Sequence, residues 1–172
     1  MPLTPEGSRR GRGALLVALG LTVGADQLSK RIAERVLAQR GPIEVLHGTV
    51  RFQLAENRGA FLGLGDRLPG NARAILFVAA VGAMLAVALA FLLRARDWPV
   101  RRLVAAGLIV GGGVGNLIDR IFRGPVTDFL LLRLGPLHTG IFNLADACIL
   151  AGGAWLVLES ATGVHWKGAS DS

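Results

Sequence analysis

Apolar residues in this chain are gathered into long blocks rather than alternated with polar ones. Ile75–Leu93 is nineteen residues without a charge, enough to cross a bilayer core of roughly 30 Å at about 1.5 Å per residue. Leu103–Ile118 and Ile141–Leu158 are two more, the second interrupted only by Asn143 and Asp146. A fourth block, Ala14–Ala25, is short before Asp26 intervenes, yet helix-compatible sequence continues without a breaker to Gly41-Pro42. The pattern predicts an all-α polytopic membrane protein, a single membrane domain over residues 1–172. Its four transmembrane helices are expected at about 12–37, 74–94, 102–121 and 139–160.

The first block has a second reading. Arg9, Arg10 and Arg12 before a short apolar run ending in Val23-Gly24-Ala25 also fit a secretory signal peptide. A spanning helix whose outer third carries polar residues fits equally, provided that third faces protein rather than lipid. The connection at about 41–72 is too long for a bare loop. Its run from Ile43 to Leu54 is β-branched and partly alternating, with Gly48 near its centre. It predicts a hairpin or small sheet lying on the outer membrane surface, an extracytoplasmic insertion. Asn57-Arg58-Gly59-Ala60-Phe61 follows and by itself reads as a turn.

Charge fixes the orientation. The net charge of +7 resembles a nucleic-acid signature, but its distribution argues for a membrane and against nucleic acid. Arg9, Arg10 and Arg12 precede the first span, and Arg94, Arg96, Arg101 and Arg102 fill the short connection between spans two and three. The positive-inside rule makes both cytoplasmic. Four spans then return the tail, with Trp166 and Lys167, to the same side, so both termini are expected in the cytoplasm. The stretch Lys30–Arg73 holds eight Lys or Arg, partly balanced by Glu34, Glu44, Glu56 and Asp66; the short loops carry the denser charge.

With that orientation the acids fall at one depth. Asp26 lies about 21 Å up the first helix from Arg12, Asp119 about 25 Å up the third from Arg102, and Asp146 about 30 Å up the fourth from Trp166. Asp128 sits in the outer loop just beyond. Ionisable groups at membrane depth are costly and mark functional sites, so this outer layer is the candidate site. On the third helix Asn116, Asp119 and Arg120 share a face; Asp119 can serve the site or pair with Arg123 one turn on. Gly107, Gly111 and Gly115 recur every four residues, a spacing that lets helices approach closely. The Gly111-Gly112-Gly113 run lacks the ending of a phosphate loop.

Other chemistry is thin. Cys148 is the only cysteine and reads as a packing residue. His47, His138 and His165 lack metal-ligand spacing, so neither metal nor cofactor is expected. Ser29 and Lys30 are adjacent on a helix and point about 100° apart, which defeats a serine–lysine pairing. Asp128 and Asp146 remain, with Gly135-Pro136 between them to turn the chain back. Two carboxyls held a few ångströms apart share a proton; the ionised member can activate water while the protonated one polarises a carbonyl. The alternative is structural, Asp128 capping a backbone and Asp146 pairing with an Arg.

Five motifs decide between these. Asp26-x-x-Ser29-Lys30, Asn57-x-Gly59-Ala60-Phe61, Gly115-Asn116-x-x-Asp119-Arg120, Val126-Thr127-Asp128-Phe129 and Phe142-Asn143-x-Ala145-Asp146 together resemble the lipoprotein signal peptidase (signal peptidase II) family. They come in the family's order and cover roughly Gly11–Leu158; the chain departs in having only Ala60 between Gly59 and Phe61. The resemblance implies an aspartic endopeptidase of the bacterial inner membrane, with the outer connection as an extracytoplasmic β-cradle and neighbouring helical segment that clamp the substrate. It would remove signal peptides from diacylglyceryl-modified prolipoproteins, cutting before the lipid-bearing cysteine. Nothing in the chain demands more than a monomer. Asp128 and Asp146 would be catalytic. Asn57, Asn116, Arg120 and Asn143 would bind substrate or orient the pair, and Asp26, Lys30 and Asp119 would support it. The rival class is a small ion or proton transporter subunit, disfavoured because the acids gather at one surface and no inverted repeat relates the halves.

Overall fold

The computed structural model describes residues 5–58, 70–95 and 97–162. Gly59, Ala60 and Phe61, together with Asp66, Arg96, His165, Trp166 and Lys167, lie outside the described residues. The order is α1 (Pro5–Arg40), β1 (Ile43–Val45), β2 (Val50–Asn57), α2 (Gly70–Arg94), α3 (Val100–Phe122), β3 (Val126–Leu134), β4 (Leu137–His138) and α4 (Leu144–Thr162). Helices dominate, and three of them (within Phe77–Arg94, Val100–Phe122 and Leu144–Ala161) are long and apolar enough to cross a membrane.

α1 runs unbroken for 36 residues, about 54 Å. The apolar block at 14–25 is therefore part of one long helix. It ends where Gly41 takes a left-handed φ of +72° and returns its N–H to the Leu37 carbonyl at 2.9 Å. Pro42 cannot continue the helix. α3 begins after Pro99 and ends at Gly124 (φ +87°), where the N–H groups of Arg123 and Gly124 both bond the Asp119 carbonyl.

α3 is the central helix, and it is packed through glycine. Gly107 and Gly111 lie against the α1 backbone at Leu15 and Leu19, and Gly115 against the Asp26 carboxylate. On the other side Gly112 meets the Ala145 carbonyl of α4, while Gly152 of α4 meets the Ala105 carbonyl of α3. The four-residue spacing thus brings two helices within backbone contact of the third. α2 completes one end through Leu85 and Leu92, which share a core with Leu15, Leu103, Ala106 and Val110. There Glu159 of α4 receives Arg101 at 2.6 Å and Arg102 at 3.1 Å, tying α3 to α4.

The opposite end carries a four-stranded antiparallel sheet in the order β1-β2-β3-β4. β1 and β2 form the hairpin expected around Gly48. The sheet's other half differs from the expectation. Residues 126–134, read from sequence as a loop holding Asp128, are a strand paired with β2 from Val50↔Leu132 to Asn57↔Val126, with a bulge between Phe52 and Ala55. Gly135 (φ +58°) makes the turn into β4. The fourth helix, expected from about 139, begins at Leu144 because the preceding residues are extended. Phe142 exchanges backbone hydrogen bonds with Leu130 at 2.8 and 2.9 Å. Phe129 and its neighbour Leu130 rest on Ala33 and Leu37, so the last turns of α1 carry the sheet.

The close helix crossings give a direct test. A Cβ at Gly112 would lie 2.5 Å from the Ala145 carbonyl oxygen, whereas one at Gly153 meets nothing within 4 Å. Helix propensity favours alanine over glycine by about 1 kcal/mol, while overpacking costs about 1–3 kcal/mol. Gly153→Ala should leave the thermal unfolding midpoint in detergent unchanged or raised, and Gly112→Ala should lower it. Equal midpoints would disprove the close crossing.

Candidate active site

Lys30 is the largest fully buried side chain among the described residues. Its ammonium has three donors, and three acceptors meet them: Asp26 Oδ2 at 2.8 Å, Asp119 Oδ2 at 2.9 Å and Asn116 Oδ1 at 3.0 Å. Asp26 and Lys30 stand four residues apart on α1 and so face the same way; the other two come from the shared face of α3. Isolated charges at such a place are prohibitive, but a paired and hydrogen-bonded set is tolerated. Both carboxylates hold backbone groups as well. Asp26 Oδ1 accepts the N–H of Ala145 at 3.0 Å, and Asp119 Oδ2 accepts that of Thr127 at 3.2 Å. One buried cluster therefore joins α1, α3, the start of α4 and the start of β3.

Asn143 caps α4. Its Oδ1 accepts the N–H of Asp146 at 3.0 Å, and Asp146 Oδ2 accepts the Asn143 N–H at 3.2 Å. This is a reciprocal capping box with aspartate at the third helical position. Asp146 Oδ1 takes the Asn116 amide at 2.8 Å, which leaves Asn116 Oδ1 facing Lys30 and Asn143. The Asn143 amide nitrogen donates to Asn116 Oδ1 at 3.0 Å and to Asp128 Oδ1 at 2.7 Å. One asparagine thus bonds both Asp128 and Asp146. Asp128 is 2% exposed, and Asp146 is half-buried.

Burial holds the Asp128 carboxyl above the ordinary aspartate range. Hydrogen bonds from Asn143 and Asn57 oppose this, the negative charge of Asp146 adds to it, and Lys30 counters. Asn57, exposed at the end of β2, thus reaches the site from the sheet. Arg120 donates to the Asn116 carbonyl at 3.3 Å and lies 5.2 Å from the ring centroid of Phe77. It interacts electrostatically with Asp146, Asp128 and Asp119. All nine residues singled out by sequence therefore join one connected site.

Some details differ from the sequence reading. Asp119 is taken by Lys30, and the Arg123 side chain turns instead to Glu34 and Thr127. Gln27 was not foreseen: its amide donates to Asp119 Oδ1 at 3.2 Å, the Gly115 carbonyl at 3.1 Å and Asp26 Oδ2 at 3.3 Å. Its place beside Asp26 was the only available signal. The Ser29 hydroxyl bonds the Asp26 carbonyl at 2.8 Å, within its own helix. Among the described residues no group of three His, Cys, Asp or Glu could hold a metal.

The cluster makes Lys30 a stability residue. Removing one partner of a buried ion pair costs about 3–5 kcal/mol, because the other charge stays buried and unpaired. Lys30→Met should lower the unfolding midpoint sharply, and adding Asp26→Asn should recover part of the loss. A Lys30→Met midpoint equal to that of the unaltered protein would disprove the pairing.

Comparisons with known proteins supply the family. The family described as signal peptidase (SPase) II matches residues 18–162. A lipoprotein signal peptidase of Streptomyces coelicolor is 36% identical, over 95% of this chain and 79% of its own length. One from Burkholderia cenocepacia is also 36% identical, over 88% of this chain and 92% of its own. A bacterial membrane enzyme structure obtained by the in meso method at 1.9 Å resolution superposes with a TM-score of 0.74 at 24% identity. It covers 86% of this chain and 92% of its own, a likeness of fold. With the family match spanning most of the chain and the relatives aligned over 79% and 92% of their own lengths, this protein belongs to the signal peptidase II family, proteases of bacterial membranes.

Proposed function

We propose that this chain removes signal peptides from prolipoproteins as an aspartic endopeptidase, with Asp128 and Asp146 as the catalytic pair. The observation that carries the reading is Asn143, whose amide nitrogen holds Asp128 and whose backbone N–H holds Asp146. Each carboxylate thereby meets a common fixed group from a different element. The pair shares one proton. Its ionised member takes a proton from water as the oxygen attacks the scissile carbonyl carbon, and the protonated member donates to the carbonyl oxygen. Collapse of the tetrahedral species breaks the C–N bond, and the departing amine leaves with a proton from the pair. Arg120, Asn57 and Asn116 stand around the pair, able to orient it or to hold the peptide backbone.

The substrate is a diacylglyceryl-modified prolipoprotein, cut before the lipidated cysteine. α1 spans the membrane too, beside α2, α3 and α4. Its exposed Leu16, Val17, Leu21, Leu28 and Ile32 face lipid, while its polar Asp26 and Lys30 are internal and neutralised. The arginines at the far ends of α1 and α3 set both termini in the cytoplasm of the inner-membrane protein. The site and sheet then lie at the outer surface, where a lipid-anchored peptide bond meets water. The protein works as a monomer, and membership in a protease family leaves a transporter role without support.

Cleavage of a lipidated prolipoprotein by purified protein tests the pair. Asp128→Asn and Asp146→Asn should each lower kcat by about 10³-fold or more; processing at the unaltered rate would sink the assignment. The pH profile adds a signed test. Burial keeps Asp128 protonated to higher pH, so the alkaline limb of kcat/KM should lie above the ordinary carboxylate range. The Asn57 hydrogen bond favours the ionised form. Asn57→Ala should therefore move that limb further up, and a downward shift would contradict the reading.

A further inference from the structure

Glu34, Arg123 and Thr127 form a cluster that the reaction itself does not use. Thr127 immediately precedes Asp128 on β3, so its side chain points to the opposite face of the strand. The hydroxyl donates to Glu34 Oε1 at 3.0 Å and accepts from Arg123 Nη1 at 3.3 Å. Arg123 Nη1 also pairs with Glu34 Oε1. The backbone N–H of Thr127 is held by Asp119 Oδ2 at 3.2 Å, and its Cα partner on β2 is Glu56. This one residue is therefore gripped by α1, by the C-terminal end of α3 and by the neighbouring strand. Asp128, the next residue, is held through its carboxylate by Asn143 and Asn57.

We propose that Glu34, Arg123 and Thr127 are a positioning latch that fixes the backbone beside Asp128 and so sets where its carboxyl stands relative to Asp146. The inference rests on the catalytic pair proposed above. None of the three approaches the reacting groups; they act through the strand. The ion pair is about one-third exposed, with side-chain exposures of 34% and 37%, so its own contribution to stability is small. Its geometric contribution is larger, because a misplacement of about 1 Å can cost on the order of 10²-fold in rate.

The test is steady-state cleavage of a lipidated prolipoprotein, well below the unfolding midpoint of every variant. Thr127→Val keeps the shape and the backbone N–H but loses the hydroxyl. It should lower kcat about tenfold with KM within about twofold, and Thr127→Ser should retain activity. Glu34→Gln and Arg123→Gln should behave like Thr127→Val, and the exchange Glu34→Arg with Arg123→Glu should restore kcat to within about threefold of the unaltered enzyme. A lowered midpoint with unchanged kcat, or a loss confined to KM, overturns the latch. Asp128→Asn and Asp146→Asn run alongside separate the two readings. If they process normally, the pair is wrong; if they are inactive while the latch variants keep full kcat, only the latch is wrong.

Discussion

The buried ammonium of Lys30 is the interaction on which the rest depends. Its three donors converge on Asp26, Asp119 and Asn116, and each of those groups passes the constraint on. Asp26 holds the N-terminus of α4 through Ala145, Asp119 holds the entry to β3 through Thr127, and Asn116 holds both Asn143 and Asp146. In an apolar surrounding every unmatched member of such a set is expensive. The helices and the sheet can therefore meet in few ways that leave all of them satisfied. Stability and geometry come from the same contacts.

Glycine makes that convergence sterically possible. Gly111 lets α1 lie against α3, Gly112 does the same for α4, and Gly115 leaves room for the Asp26 carboxylate itself. A larger residue at Gly115 would take the space that the acid occupies, with a Cβ only 2.6 Å from Asp26 Oδ2. The small-residue stripe and the charged cluster are one feature, since the first sets the helix spacing that the second requires. The same economy appears at α4. Its capping box satisfies the helix terminus and holds Asp146, so the residue proposed for catalysis is positioned by the bonds that begin its helix.

Much was legible because helical periodicity maps directly to position. Counting residues along three helices put Asp26, Asp119 and Asp146 at one level, and the contacts around Lys30 and Asn143 bring that level together. Asp128 was harder. Val126–Leu134 is continuously apolar apart from Thr127, Asp128 and Arg133, and no alternation marks it as a strand. It becomes one by pairing with β2, 69 to 82 residues earlier in the chain. The late start of α4 has the same origin, because Phe142 is drawn into pairing with Leu130.

By itself, then, the sequence determined the main helices, the glycine spacing, the common level of the acids along their helices and the motifs that assign the family. These depend on local period and residue type, which survive without knowledge of neighbours. Only the tertiary structure decided the partners. Lys30 takes Asp119 and leaves Arg123 to Glu34, and Asn143 turns one amide to bridge two carboxylates. Such choices compare every donor with every acceptor within reach, and that reach is set by helix crossings and strand register between residues far apart in the chain.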